Sequence, residues 1–376
     1  MAASAIDIEV VSDHGRFLEL KPEWDLLLAQ LGDQASVFLS HYWLDCWWRH
    51  FGGDAKLHLL VLRREGRMIA IAPLMRRRLS LYGLPVRCLC FPENGNTLHS
   101  DLLVGEAERG ESLTELLSYL DRNRREWDLV HLHRMPGDSP NLAVALNLLR
   151  ETGVKHHLRS VYASPYLKVA GGWQAFHAGR SVRVRKTLRN VRNSLERAAC
   201  PDLVRVATWE EFLEQREAIC RIASHSWTEE EGDSLATPVN RAFFEDLARE
   251  AAREGGLRVW LLLLDGRPAA FEFHLRGFGK QHALRASFDE EFASLSPGAF
   301  LEMELLREIY DEPQGVAHFD FGGSTDPYKK RWSDQARELV LLQLFNAEPY
   351  SRLCSLYATL LIPLLRQVRD LLRRKG

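Results

Sequence analysis

Residues 257–275 read LRVWLLLLDGRPAAFEFHL, and the same design stands two hundred positions earlier as LHLLVLRREGRMIAIAPL over residues 57–74. The two align without a gap: Leu57 with Leu257, Leu62 with Leu262, Glu65 with Asp265, Gly66 with Gly266, Arg67 with Arg267 and Ala70 with Ala270. In each, an apolar run stops at an acidic-Gly-Arg tripeptide and a second apolar run follows. A tight hairpin turn needs positive φ, which Gly takes without steric cost, so each copy predicts a β-hairpin. Each is preceded by a helix-like segment and followed by further strands and a helix. That is the pattern of a duplicated α/β domain.

The totals agree with two domains. A chain of 376 residues exceeds the roughly 250–300 residues at which single cores stop growing. The expected division is an α/β domain over 1–170, a second over 171–346 beginning at Gly171-Gly172, and a C-terminal amphipathic helix over 347–376. A net charge of −2 argues against a protein whose overall field gathers DNA. The six cysteines form no CxxC pair, which suits reduced, structural thiols. Neither Cys88-Leu89-Cys90 nor the alternating His131 and His133 has the partners a metal needs, so no metal is expected. The first residues, MAASAIDIEVV, lack the basic-then-apolar layout of a signal peptide, and no apolar run approaches a membrane span. A cytoplasmic protein is expected.

Between the hairpins lie three segments of distinct chemistry. A polar loop, PENGNTLHSD, ends at Asp101. After Gly172 comes a strongly basic stretch, with Ser181 as a plausible N-cap. Val184, Leu188, Val191 and Leu195 make an apolar stripe at helical spacing, and Arg185, Arg189 and Arg192 share another face. Such a face is either solvated or a site for an anionic group, to which Arg forks are well matched. Trp227 opens an acidic loop, TEEEGDS. Near the C-terminus, Leu353, Leu356, Leu360, Leu361 and Leu364 lie on one side of a helix that has Arg366, Arg369, Arg373 and Arg374 near its end. Packing on the domain is the default for that face, and a peripheral membrane contact is the alternative.

Three features of the second half carry chemistry. Ser296-Pro297-Gly298 starts a helix, whose unpaired N–H groups and partial positive charge suit an anion. In FDFGGSTDPYKKRW, Asp320 sits within an apolar strand, where a charge is costly unless paired or functional. Glu272 and His274 fall on one face of the hairpin strand, because strand side chains alternate.

These features resemble the GNAT-superfamily acetyltransferases associated with cellulose biosynthesis (CelD/BcsL-like). The hairpin, the Ser296-Pro297-Gly298 helix start, the Asp320-Phe321-Gly322 and Tyr328-Lys329-Lys330-Arg331-Trp332 segment and the basic helix carry the likeness. It spans about residues 38–344 and extends to Fem-type peptidyltransferases, which share a tandem arrangement. The usual pyrophosphate loop, R/Q-x-x-G-x-G/A, is absent, and only Ser296-Pro297-Gly298 stands in its place. The resemblance implies tandem GNAT-like domains with mixed sheets flanked by helices. It implies an enzyme that moves an acyl group, acetyl by default, from coenzyme A to the amine of a small molecule or of a saccharide or envelope precursor. Lys329, Asp320, Glu272 and His274 are the expected catalytic residues. Ser296, Pro297, Gly298 and Arg331 are expected at the acetyl-CoA, and Arg185, Tyr328, Trp227 and Asp101 at the acceptor. Two alternatives share the fold: a transferase using aminoacyl-tRNA, and a non-catalytic accessory protein of polysaccharide biosynthesis.

Overall fold

The computed structural model describes residues 5–226, 235, 237–312, 315–323, 326 and 328–362. The chain divides into two compact units, Met1–Tyr162 with Glu338–Gly376, and Ala163–Arg337. In the first, strand β1 (Ile6–Val11) leads into helices α1 (His14–Glu19), α2 (Lys21–Ala29) and α3 (His41–Phe51). Strands β2 (Lys56–Arg64), β3 (Arg67–Leu81), β4 (Leu84–Cys90) and β5 (Leu103–Val104) follow. Helix α4 (Arg109–Arg122), strand β6 (Leu129–Pro136) and helix α5 (Pro140–Thr152) come next. Strand β7 (Lys155–Lys168) carries the chain into the second unit.

The second unit opens with helices α6 (Gly172–Ala178) and α7 (Val182–Ala198), then β8 (Pro201–Val206), α8 (Trp209–Ser224) and α9 (Pro238–Arg253). Its hairpin is β9 (Leu257–Leu264) and β10 (Arg267–Gly277), followed by β11 (Lys280–Phe288), α10 (Pro297–Asp311) and β12 (His318–Asp320). The chain returns to the first unit with β13 (Ala336–Phe345) and α11 (Pro349–Leu356). The sequence places β13 with the second half by proximity alone, whereas nearly all of it belongs with the first.

The repeated stretches are two hairpins of one geometry. Pairs Arg64↔Arg67 and Leu264↔Arg267 close two-residue turns. The turn residues have φ of 52° and 78° at Glu65 and Gly66, and 50° and 75° at Asp265 and Gly266. Positive φ at both central positions matches the right-handed twist of the flanking strands. The likeness extends beyond the turn. In β3 the pairing skips Ile69, between Met68↔Arg63 and Ala70↔Leu62, and in β10 it skips Ala269, between Pro268↔Leu263 and Ala270↔Leu262. Each skipped residue's carbonyl accepts a distant N–H, Gly105 to Ile69 at 3.1 Å and Asp289 to Ala269 at 2.9 Å. The outer strands keep the same register, with Val11↔Leu59 and Val206↔Val259. A chance match of apolar runs would not reproduce a bulge, its long-range bond and an edge register, so the halves are structural duplicates.

The sheets follow the same order, β1-β2-β3-β4-β6-β13 in the first unit and β8-β9-β10-β11-β12-β7 in the second. The pairs β4–β6 and β11–β12 are parallel. The units differ at the third strand. In the second unit β11 follows β10 from Gly277↔Lys280 to Ala270↔Phe288. In the first, β4 covers one end of β3, up to Met75↔Cys90, and β5 covers the other, at Ala70↔Val104 and Ile71↔Leu103. The polar loop that ends at Asp101 fills the interruption.

Helix α4 packs on the first sheet through Leu113, Leu116 and Leu120. Helix α10 packs on the second through Leu301, Leu305, Leu306 and Ile309. Fully burying one such side chain contributes about 1.5–3 kcal/mol. The stretch from His14 to Ala29 is broken into α1 and α2, because Pro22 cannot sit inside a helix and takes a place in the first turn of α2. The leucine face of α11 departs from expectation. Leu353 and Leu356 are 53% and 55% exposed and Leu360 is 63% exposed. The residues α11 buries are Ser351 and Cys354. Ser351 donates from Oγ to the Asp128 carbonyl at 2.6 Å, so a hydrogen bond rather than the leucine stripe docks this helix. The basic residues Arg366, Arg369, Arg373 and Arg374 lie outside the described residues. Among the described residues no helix is long and apolar enough to cross a membrane.

A Cβ added at Gly66 or Gly266 meets nothing within 4 Å. Replacement by Ala therefore costs only the left-handed φ, about 1 kcal/mol at each position. Urea unfolding of Gly66→Ala and Gly266→Ala should show lowered midpoints of similar size; an unchanged midpoint would contradict the turn geometry.

Candidate active site

The parallel strands β11 and β12 pair only over Lys280↔His318, Gln281↔Phe319 and His282↔Asp320. Past that point β11 continues from Ala283 to Phe288 while β12 ends at Asp320. The two strands therefore fork beyond His282↔Asp320. Asp320 stands at the base of the fork. Its Oδ1 accepts from the Gly322 N–H at 2.8 Å and from Ser164 Oγ at 2.9 Å.

Gly322 is held from its other side as well. Lys329 Nζ donates to the Gly322 carbonyl at 2.7 Å and pairs with Asp326 at 2.9 Å. Gly322 and Gly323 take φ of 64° and 60°, which turns the chain sharply after β12. A Cβ on Gly323 would lie 3.2 Å from Lys329 Nζ. Lys329 is 4% exposed, in a single tight turn, Lys329–Arg331.

Two buried carboxyls share this space. Glu272 comes from β10 and Glu302 from α10. His274 Nε2 lies 2.9 Å from Glu272 Oε2, and Gln281 Nε2 lies 2.9 Å from His274 Nδ1. The Gln281 amide donates to Nδ1, which leaves the imidazole proton on Nε2 and makes His274 a donor to Glu272. Burial pushes the His274 pKa down to about 3, so the ring is neutral. Glu302 Oε2 accepts from Trp332 Nε1 at 2.6 Å. Burial pushes the Glu272 carboxyl up to about 8, against the pull of the Lys329 ammonium. Burial likewise pushes Glu302 up to about 8; the Glu272 charge adds to the rise, while Trp332, Arg331 and Lys329 oppose it. Burial also raises Asp320, against its bonds from Gly322 and Ser164. Carboxyls tuned toward neutrality in this way are characteristic of acid–base sites.

The structure thus gathers Glu272, His274, Asp320 and Lys329 around one fork. Tyr328 stands at its rim, 43% exposed, with Lys329 Nζ 5.4 Å from its ring centre. Arg331 donates from Nε to the Tyr328 carbonyl at 2.9 Å. Ser296, Pro297 and Gly298 begin α10, with Ser296 at φ 53°. Gly298 and Glu302, four residues apart, face the same way. The remaining residues lie elsewhere. Arg185 lines a separate cavity of about 480 Å³ beside α7. Asp101, in the first unit, is occupied by Ser139 Oγ at 2.6 Å, Asn141 Nδ2 at 3.2 Å and the Leu102 N–H at 2.7 Å. Trp227 lies outside the described residues. Among the described residues no group of three or more His, Cys, Asp or Glu side chains is placed to hold a metal ion.

Sequence reasoning missed Glu302, Gln281 and the Trp332 bond. Glu302 did leave a signal. Leu305, Leu306 and Ile309 follow it at i+3, i+4 and i+7, so a carboxylate stands on the apolar stripe of α10. The corresponding stripe of the first unit is apolar throughout. Ala72 and Leu74 occupy the positions of Glu272 and His274, and Leu113 begins the α4 stripe as Glu302 begins that of α10; all three are buried. At these equivalent positions only the second copy carries titratable groups.

A carboxyl whose pKa is raised on folding stabilises the native state below its unfolded value, near 4.5, and that contribution is lost as pH rises through about 8. Glu302→Gln keeps an acceptor for Trp332 and never ionises. Its melting temperature relative to the wild type should therefore climb between pH 5 and pH 9. A difference that stays constant over that range would mean Glu302 titrates normally.

Comparison with known proteins bears on the same region. Residues 182–330 match the family described as the acetyltransferase (GNAT) domain. FemX superposes over 93% of this chain and 100% of its own with a TM-score of 0.62 at 13% identity. L-PGS from Bacillus licheniformis does so over 96% and 98% with a TM-score of 0.54 at 11% identity. A conserved protein of unknown function from Bacteroides thetaiotaomicron VPI-5482 covers 90% and 100% with a TM-score of 0.56 at 12% identity. At these identities the likeness is one of fold. No curated protein matches the chain in sequence. The second unit carries a GNAT-type acetyltransferase domain, and the protein is an acyltransferase enzyme.

Proposed function

We propose that the protein transfers an acyl group, acetyl in the first instance, from coenzyme A to the amine of an amino sugar or related envelope precursor. The observation that carries this reading is the buried Glu272–His274 pair, set with Glu302 and Lys329 at the β11/β12 fork. An amine attacking a thioester must lose a proton. A carboxyl with a pKa near 8 is close to the ideal base at physiological pH.

The residues at the start of α10 fit the coenzyme. Ser296 makes no side-chain cap, so the first N–H groups of the helix are left for the pyrophosphate. A Cβ on Gly298 meets only Phe288 Cδ1, at 3.6 Å, so the approach is open. Ser296, Pro297 and Gly298 would hold the phosphates, with Arg331 as a counter-charge. Glu302 stands about 6 Å further along the same helix face, at 1.5 Å rise per residue. Bound there, acetyl-CoA supplies the activated thioester. Glu272 takes the proton that the amine sheds as the C–N bond forms and the C–S bond breaks, and the sulfur leaves as a thiol once reprotonated. His274 steadies the Glu272 carboxylate by its Nε2–H. Lys329 fixes the Gly322 turn and places a positive charge where the oxyanion develops. Tyr328 and Trp227 are the acceptor contacts we favour.

The saccharide acceptor follows from the sequence resemblance to cellulose-biosynthesis acetyltransferases. A second reading, with aminoacyl-tRNA as donor, is favoured by the cationic face of α7, since phosphate backbones bind such faces.

Isothermal titration with acetyl-CoA should show micromolar binding that Gly298→Trp abolishes. Absence of binding at millimolar acetyl-CoA would remove this donor and turn the assay to charged tRNA. With an amine acceptor in hand, Glu272→Gln should lower kcat at least a hundredfold. The wild-type rate should rise with pH to a plateau above about 8, and a flat profile would exclude Glu272 as the base.

A further inference from the structure

Helix α7 borders a cavity of about 480 Å³ whose walls include Trp173, His177, Arg185, Lys186, Arg189 and Met303. Its charge is one-sided. Arg63, Arg87, Arg205 and Arg276 each find a carboxylate. Among the described residues Arg185, Lys186 and Arg189 make no ion pair, and the buried Nε of Arg185 has no hydrogen-bond partner. Arg192, one turn on, is tied to Glu304 of α10, which docks the helix. The cavity's lining also includes an aromatic pair, the Trp173 and His177 rings stacked 5.4 Å apart at 28°. The field is felt locally, since Arg185 and Arg192 add to burial in lowering the His177 pKa.

We infer that this cavity binds a phosphorylated ligand, its phosphate on Arg185, Lys186 and Arg189 and its body against Trp173, His177 and Met303. Unpaired cations beside a cavity attract anions, and Arg forks match phosphate oxygens in particular. The volume lies in the range of small-molecule sites. A free nucleotide and a phospholipid headgroup share this chemistry. The site is separate from the start of α10 and does not depend on the acyl-transfer reading. It does adjoin the acid–base cluster. Trp173 lies 6.3 Å, centre to centre, from Trp332, whose indole N–H holds Glu302.

The test uses the full chain and three probes: pyrophosphate, uridine diphosphate, and vesicles of phosphatidylcholine with or without one third phosphatidylglycerol. Titration calorimetry reads the first two and co-sedimentation the third. At least one phosphate probe should bind, at least tenfold more weakly to Arg185→Ala/Arg189→Ala, with the fold of that variant checked by its melting curve. Arg183→Ala, which removes a charge outside the cavity, should bind as the wild type does. Binding of soluble probes alone assigns a free phosphorylated ligand, and binding of anionic vesicles alone assigns a headgroup. The inference is overturned if no probe binds, if Arg183→Ala weakens binding as much as the double variant, or if Gly298→Trp rather than the double variant abolishes it.

Discussion

The second unit depends on keeping two carboxyls and an ammonium out of water within one small volume. A polar group buried without a hydrogen-bond partner is costly whether charged or neutral, and each of these three has one. Glu272 has His274, Glu302 has Trp332, and Lys329 has the Gly322 carbonyl and Asp326. These partners come from β10, α10 and the segment after β12, and satisfying them brings the three elements to one point. Asp320 and Lys329 then grip Gly322 by its N–H and its carbonyl. The sharp turn after β12 and the fork beside β11 are the backbone expression of that electrostatic requirement.

The two units show how a duplicated scaffold divides labour. They share a turn, a bulge, an edge register and a sheet order. In the first, Ala72, Leu74 and Leu113 stand where the second has a carboxylate, an imidazole and a second carboxylate. Apolar residues at those sites need no partners, and the third strand there is free to break into β4 and β5 around a long loop. The one buried acid of that loop, Asp101, is bonded to Ser139 and Asn141 at the start of α5 and serves the loop's own architecture. The same fold thus holds a buried carboxyl–imidazole cluster in one unit and apolar packing at the equivalent positions of the other.

Much of this was legible in the sequence, for reasons that differ by residue. The hairpins could be read because a turn with two positive φ values demands Gly, and Gly66 and Gly266 announce it. Glu272 and His274 could be paired because strand side chains alternate, and Lys329 drew attention through its resemblance to known transferases. Glu302 was not read, because a glutamate in a helix is ordinarily solvated and only the position of its neighbours shows that it faces inward. The leucines of α11 misled in the opposite direction. Their spacing describes an apolar face, but spacing does not say what lies opposite, and Ser351 bonded to a backbone carbonyl took the inner side.

The path of the chain has a consequence for how the protein is made. The first unit is not complete until β13 is added, and β13 lies beyond all of the second unit in sequence. During synthesis the amino-terminal sheet must wait, one strand short, with β6 unpaired along one edge, while some 170 intervening residues emerge at about 5–20 residues per second. Closing that loop costs entropy, and the cost grows only slowly with its length. The wait therefore affects kinetics more than stability: an open strand edge is held on the ribosome for many seconds, and the second unit, whose strands from β7 to β12 have all emerged by then, is able to fold first.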